Sequence, residues 1–206
     1  NPVEMDKQEV NRVPNYGTGF APYFISLGLF VGALLISIVV NLNDPVIEPK
    51  NAFTLFMSKF GMLAVVGTIQ ALILDAILLY GLGLEVKNTA LFVLVTIITS
   101  LVFMTLVQFL STTLGDPGRF IAIVLLILQL TTSAGTFPLE LIPDVLHPIN
   151  SLLPMTYSVQ AFKAVVSSGD YSFMWQNVGI LFIYIVIAMA LTYTYFLVKE
   201  KKHGYV

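Results

Sequence analysis

The sequence alternates long apolar runs with short polar segments rich in Pro, Gly and Asn. Four runs carry at most one charge each, at positions 20–40, 60–82, 89–110 and 176–198. A fifth run, at 120–137, is shorter and ends in a polar sequence that leads into a proline. At about 1.5 Å per residue, roughly 20 apolar residues cross the ~30 Å hydrocarbon core of a bilayer. The pattern therefore predicts five transmembrane helices.

The fold class follows from what a bilayer permits. Only α-helices and closed β-barrels satisfy every backbone hydrogen bond in lipid. A barrel strand alternates apolar and polar residues over about ten positions, and these runs show no such alternation. We therefore expect an all-α membrane protein, a polytopic bundle of five transmembrane helices with a transmembrane domain over residues 20–198.

The longest connection, residues 138–175, is apolar but cannot form one straight helix. It contains four prolines, and a proline inside a helix removes a hydrogen bond and kinks or breaks it. We expect a re-entrant or interfacial outer hairpin before the last span, with a helix at about 155–166. The alternative is an extracellular cap that packs on the bundle. The residues singled out in this hairpin are Pro138, Glu140, Pro143, Pro154 and Tyr157.

The placement of Lys and Arg predicts the orientation. Five spans put the two chain ends on opposite sides, and the side richer in Lys and Arg near the spans is cytoplasmic. One side carries Lys50, Lys59, Arg119, Lys199, Lys201 and Lys202, and the other carries Lys7, Arg12, Lys87 and Lys163. We therefore expect a multi-pass protein of the cell (cytoplasmic) membrane, with Asn1 outside and residues 199–206 as a cytoplasmic tail.

Residues 1–19 are polar and mixed in charge. They do not have the basic start and apolar run of a signal peptide. We interpret them as an extracellular juxtamembrane linker from an upstream ectodomain, so that the chain would be the C-terminal part of a longer protein.

The composition supports a membrane protein and excludes several other classes. The chain is 57% hydrophobic and 11% charged, whereas soluble proteins average about 45–50% and about 25%. The net charge of −2 gives no reason to expect nucleic-acid binding, and the lack of cysteine removes disulfides and thiolate metal sites. There is no phosphate-binding G-x-x-x-x-G-K-[ST] loop, and His147 and His203 are isolated. We expect no ATP hydrolysis by the chain itself, no metal, no cofactor and no enzyme activity.

The segment 51–60 has the pattern of a short amphipathic helix on the cytoplasmic side. Phe53, Phe56, Met57 and Phe60 follow the i, i+3, i+4, i+7 spacing of one helical face, and Asn51 is a suitable N-cap. One interpretation is an interfacial helix in contact with membrane lipid. The other is a docking helix for a cytoplasmic partner such as an ATPase subunit.

Small residues in the first span indicate close helix packing. Gly28 and Gly32 form a G-x-x-x-G motif, which lets two helix backbones approach each other in a membrane. Packing within the chain and a homodimer seam are both consistent with the motif.

Asp75 is the one ionisable residue inside a predicted span. A charge at membrane depth is costly, so such residues face the bundle interior, a cavity or a partner. We expect either a residue near the outer interface with access to water, a carboxyl group kept neutral, or part of a translocation path. Gln70, Gln108 and Gln129 are further polar candidates within the spans, first of all for hydrogen bonds between helices.

The residues that enter the first span carry a family resemblance. VPNYGTGFAPYF at 13–24, continued by LGLFVGA at 27–33, resembles the YhgE/Pip family of Gram-positive bacterial membrane proteins. FPLELIP at 137–143 and LPMTY at 153–157 resemble the outer hairpin before the last helix of type 2 ABC exporter permeases. Together these stretches extend the resemblance over essentially the whole chain.

This resemblance implies six spans with a large extracellular domain between the first two, so that the chain would hold spans two to six. It also implies a homodimer with an ABC exporter permease-like role in export or secretion, and a separate cytoplasmic ATPase. Family members are similar to phage infection proteins, and the related YueB/EsaA proteins belong to type VII secretion. The alternatives are a passive anchor of a phage receptor or cell-envelope scaffold, which would meet phage through the missing ectodomain, and an accessory secretion-system subunit.

Overall fold

The computed structural model describes residues 16–42, 49, 51–132 and 147–203. Within these ranges the chain is helical and forms no β-strand. The α-helices in chain order are α1 (Tyr16–Val39), α2 (Ala52–Ala76), α3 (Thr89–Leu114), α4 (Asp116–Thr132), α5 (His147–Asn150), α6 (Pro154–Lys163) and α7 (Tyr171–His203). A π-helical turn extends α2 over Ile77–Gly81, and another extends α6 over Ala164–Ser168.

Four helices of the described part are long and apolar enough to cross a membrane: Gly17–Val39, Ala52–Gly81, Thr89–Leu114 and Tyr171–Lys202. The predicted all-α membrane bundle is confirmed. The predicted fifth span corresponds to α4, of which 17 residues are described, ending at Thr132. Its last predicted residues, 133–137, lie outside the described ranges.

The starts of three long helices are fixed by side chains that accept a backbone N–H bond from the first turn. Asn51 accepts one at 2.8 Å, which confirms the predicted N-cap of α2. Asn88 does the same for α3 at 3.1 Å, and Asp170 for α7 at 3.0 Å. Each cap satisfies a donor that the helix itself leaves without a partner.

Helix α3 is the centre of the bundle and packs against α1, α2, α4 and α7. Within the chain, 61% of its spanning segment is buried, against 22% for α2. Aromatic edge-to-face contacts mark the core, with the rings of Phe30 on α1 and Phe103 on α3 centred 5.0 Å apart. Because α3 is enclosed and α2 is not, one broad apolar face of α2 is left to lipid or to a partner.

A tight corner joins α3 to α4. Gly115 ends α3 with a φ of 65°, a region that favours glycine. Three residues later Gly118 lies against α3, where a Cβ would overlap the backbone carbonyl of Leu110 and crowd Leu114. Both glycines are needed for the two helices to run back along each other at this distance.

The helix ends divide the molecule into two sides. On one side α1, α3 and α7 end and α2 and α4 begin; we call this the tail side. The opposite side, where α6 lies between α1 and α7, is called the α6 side.

Candidate functional site

The start of α2 packs on the end of α7 at the tail side. Phe56 is 5% exposed and lies in a small buried cluster with Ala52, Leu55 and Phe196. Its ring stacks on that of Phe60, with centroids 5.8 Å apart and planes 6° from parallel. Aromatic burial of this kind fixes the first turns of α2 against α7.

A carboxylate closes the same junction. The Oε2 atom of Glu200, near the end of α7, accepts a hydrogen bond from the backbone N–H of Ala52 at 3.2 Å. The N-terminal end of a helix carries partial positive charge, so an acidic side chain there is stabilising. Glu200 is not among the residues identified from the sequence. An acidic residue in the last turns of a helix interacts unfavourably with the negative end of that helix's dipole. Its presence there could have indicated that the N-terminus of a second helix lies nearby.

The predicted docking residues are divided between two directions. Phe56 and Phe60 pack against α7. Phe53 meets the ring of Tyr193 on α7 edge-on, with centroids 6.2 Å apart, but is 55% exposed, and Met57 is 38% exposed. The structure also differs from the expected separate helix at 51–60, because α2 runs without interruption from Ala52 into the span. No proline lies between Ala52 and Gly81 to end it, and its 30 residues are about 45 Å long. A docking role for Phe53 and Met57 stays a prediction.

Lys59 links the tail-side ends of α1 and α2. Its Nζ atom donates to the backbone carbonyl of Asn41 at 2.6 Å, just beyond the end of α1. A cation at a helix C-terminus is stabilised by the partial negative charge of the carbonyl groups. The side chain is thereby held at the boundary of the bundle.

Asp75 is buried against α3. It is 3% exposed, and within the described residues neither carboxyl oxygen has a hydrogen-bond partner of standard geometry. The Thr96 hydroxyl on α3 is the polar group beside it, but that hydroxyl donates to the carbonyl of Phe92 at 2.9 Å. The described surroundings therefore give the carboxyl group little compensation for leaving water.

The other polar positions in the spans serve helix packing to different degrees. Gln70 on α2 donates from Nε2 to the carbonyl of Leu29 on α1, at 3.4 Å. Ser100 on α3 donates to the carbonyl of Gly67 on α2, at 2.8 Å, which is a second polar link between helices. Gln108 and Gln129 are fully enclosed, and some of their amide atoms have no hydrogen-bond partner within the described part.

The two glycines of the G-x-x-x-G motif are not equivalent. At Gly32 a Cβ would overlap the side-chain amide of Gln70, so α1 and α2 approach each other closely at this point. At Gly28 the space is open within 4 Å, and the residue is exposed. Packing within the chain uses only Gly32, and the face with Gly28 is left uncovered by the described residues.

The described part of the predicted outer hairpin lies at the α6 side. The expected helix at about 155–166 is confirmed as α6 with its π-helical turn, and Pro154 stands in its first turn, where proline is tolerated. Tyr157 donates its hydroxyl hydrogen to the carbonyl of Ser151 at 2.7 Å. The residues Pro138, Glu140 and Pro143 lie outside the described ranges.

The polar residues described above are suited to helix packing and to contacts with other molecules. In the described ranges, no group of three or more His, Cys, Asp or Glu side chains could hold a metal ion. The polar groups lie singly between helices or at helix ends, so the arrangement can anchor a helix bundle and present surfaces at its two sides.

Comparison with known proteins adds a family relationship. Residues 1–194 match the family model described as ABC-2 family transporter protein. The chain is also similar to the uncharacterized protein YhgE of Bacillus subtilis (strain 168), with 48% identity over 202 residues. That match covers 98% of this chain but 26% of YhgE, so the chain spans about a quarter of the length of this relative. No solved structure matches the chain.

Proposed function

The chain belongs to the ABC-2 transporter family over residues 1–194, and from this membership we propose that it takes part in export or secretion across the cytoplasmic membrane. The resemblance to YhgE/Pip proteins and to type 2 ABC permeases is confirmed by the same comparisons. The chain is therefore a permease-like, multi-pass membrane domain. The direction of transport, the partner and the whole protein's role are parts of the proposal.

The observation that carries the proposal is the junction of α2 and α7 at the tail side. Phe56 and Glu200 fix the first turns of α2 in place, while Phe53 and Met57 stay exposed beside them. Aromatic and methionine side chains held on a rigid helix suit a protein partner, because little conformational entropy is lost when they are covered. We propose that a separate cytoplasmic ATPase subunit docks here and that the tail side faces the cytoplasm.

A photo-crosslinking amino acid at Met57 tests this proposal in native membranes. Ile73, on the same helix and 57% exposed, is the matched control, since it lies near the other end of the span. Crosslinking of an ATPase from position 57, with lipid adducts alone from position 73, would support the proposal. Lipid adducts from both positions would contradict docking of an ATPase at this site. A transport role would then lack a binding site for the subunit that supplies its energy.

A second candidate function is favoured by the length of the relative. Because the match covers 26% of YhgE, most of that protein lies outside the matched region. The domain would then anchor a large ectodomain passively, as a receptor for phage or as a cell-envelope scaffold, or would serve as an accessory membrane component of type VII secretion. In the anchor role, Phe53→Ala and Phe56→Ala would leave function intact at equal protein levels. Loss of export in Phe53→Ala with normal expression would reject it.

The family relationship also motivates a homodimer. The open face around Gly28 is one place where a second copy could approach, because glycine lets helix backbones come close. Substitution of Gly28 by Leu would then weaken a dimer in detergent or nanodiscs. An unchanged oligomeric state in that variant would place any dimer contact elsewhere.

A further inference from the structure

A pocket of about 500 Å³ opens on the α6 side, at the opposite end of the bundle from the junction of α2 and α7. It lies where the first turns of α1 and α7 meet α6 and the π-helical turn that follows it. Its polar lining comes from Gln160, Lys163, Ser167, Ser168 and Asp170. The remaining wall is small or apolar and includes the ring of Phe173.

The pocket is built on an irregular backbone that hydrogen bonds hold in place. The π-helical turn Ala164–Ser168 is closed by a bond from the N–H of Gly169 to the carbonyl of Ala164, at 2.8 Å. Gly169 itself is left-handed, with a φ of 76°. The N–H of Lys87, in the loop between α2 and α3, donates to the carbonyl of Val165 at 3.0 Å. Isolated π-helical turns occur frequently at functional sites.

The aromatic residues at the start of α7 place the pocket at the level of the lipid headgroups. Tyr171, Phe173 and Trp175 are 37%, 42% and 49% exposed, and Trp175 is the single tryptophan of the chain. Exposed Trp and Tyr concentrate where a membrane meets water. We therefore place the mouth of the pocket at the level of the headgroups.

The lining combines one cation, one carboxylate, two hydroxyls and an amide. From this set we propose that the pocket binds the headgroup of an amine-bearing phospholipid, with its phosphate at Lys163 and its ammonium group at Asp170. A carboxylate offers about four acceptor positions. Asp170 can therefore keep its 3.0 Å bond to the N–H of Phe173 and accept from the lipid ammonium as well.

The charge balance favours this zwitterionic headgroup over an anionic one. An anionic phospholipid could contact Lys163 as well, but it would bring its negative charge close to Asp170. Desolvation by burial lowers the pKa of the Lys163 ammonium group. A phosphate group beside Lys163 would favour the charged ammonium form and offset the cost of its desolvation.

Titration of the full chain in detergent with phosphatidylethanolamine or phosphatidylglycerol of identical acyl chains, followed by native mass spectrometry, tests the proposal. The wild type should bind phosphatidylethanolamine more tightly. Lys163→Gln should weaken binding of both lipids by about tenfold or more, as expected for a lost charge-assisted hydrogen bond. Asp170→Asn should remove the preference for phosphatidylethanolamine, and because asparagine is also a good N-cap, α7 should keep its start.

Lys87→Gln is the matched control, since it removes an exposed positive charge on the same side, outside the pocket lining, and keeps the backbone N–H that donates to Val165. It should leave both dissociation constants unchanged. Equal effects of Lys163→Gln and Lys87→Gln would overturn the phosphate contact. Equal or tighter binding of phosphatidylglycerol by the wild type, or an unchanged lipid preference in Asp170→Asn with unchanged circular dichroism, would overturn the ammonium contact.

Discussion

Glu200 and Ala52 are 148 positions apart in sequence, yet a carboxylate oxygen of one accepts the backbone N–H of the other at 3.2 Å. The bond joins the end of α7 to the start of α2 at the tail side. It lies next to the aromatic cluster around Phe56, so a polar contact and an apolar contact fix the same two helix ends. The surface proposed for a cytoplasmic partner depends on this junction.

Glu200→Ala should loosen the start of α2. The first N–H of the helix loses its acceptor and the favourable charge, with a cost of about 1 kcal/mol. Hydrogen–deuterium exchange should therefore speed up at the amides of 52–55 without a change at the start of α3. Glu200→Gln keeps an acceptor and should have a smaller effect. Glu85→Gln, an exposed substitution on the α6 side, is the control and should change nothing at α2.

Gly32→Ala should destabilise the contact between α1 and α2, whereas Gly28→Ala should not. A methyl group at position 32 overlaps the amide of Gln70, and overpacking in a tight contact costs about 1–3 kcal/mol. The measurement is the unfolding midpoint in detergent. Gln70→Ala in the same chain should restore much of the loss, as a double-mutant cycle would detect. Equal midpoints for the two alanine variants would contradict the close approach at Gly32.

Gly118→Ala should be more damaging than Gly32→Ala. Its new methyl group meets the backbone carbonyl of Leu110, which cannot turn away as a side chain can. We expect a loss at or above about 3 kcal/mol, seen as a low yield of monodisperse protein. Gly61→Ala is the matched control, because the space there is open and alanine is a better helix former by up to about 1 kcal/mol. A normal yield of monodisperse Gly118→Ala protein would contradict the close approach of α3 and α4 at this corner.

The chain contains no cysteine, so single cysteines report the orientation directly. We expect a cysteine at exposed Lys202 to be protected from an impermeant maleimide in intact cells and a cysteine at exposed Ser168 to be labelled. Permeabilised cells, where both positions should react, provide the control for accessibility. The reverse labelling pattern would invert the proposed orientation and remove the tail side as a site for a cytoplasmic ATPase.

The spans could be predicted because lipid imposes a simple rule. Backbone groups must be satisfied within each helix, so length and hydropathy alone locate α1, α3 and α7. Hydropathy marks where an apolar span ends, but it does not show whether the helix itself continues beyond the membrane. The sequence pattern therefore predicts a separate helix at 51–60, whereas the structure has one continuous α2 from Ala52.

Details of the candidate site depend on tertiary packing, which spacing does not encode. Gly28 and Gly32 are equivalent in a motif, but only Gly32 lies opposite a side chain from α2. Phe53 and Phe56 belong to one predicted face and both meet Tyr193 of α7, but only Phe56 is buried there, whereas Phe53 stays 55% exposed. The role of Glu200 cannot be predicted from spacing, because its partner is a backbone group far away in sequence. The types of residue could be predicted, whereas their partners required the helix arrangement.

The central position of α3 also has a consequence for biogenesis. α1 and α2 precede α3 in the chain and α4 follows it directly, but α7, which also packs on it, is synthesised after all the other described helices. During insertion, the face of α3 that α7 covers is therefore in contact with lipid or with the insertion machinery until α7 has been inserted. The bond between Glu200 and Ala52 forms later still, since it needs the final turns of α7. Among the described helices α7 is thus the last to reach α3, and a nascent chain halted before α7 would leave that face of α3 uncovered.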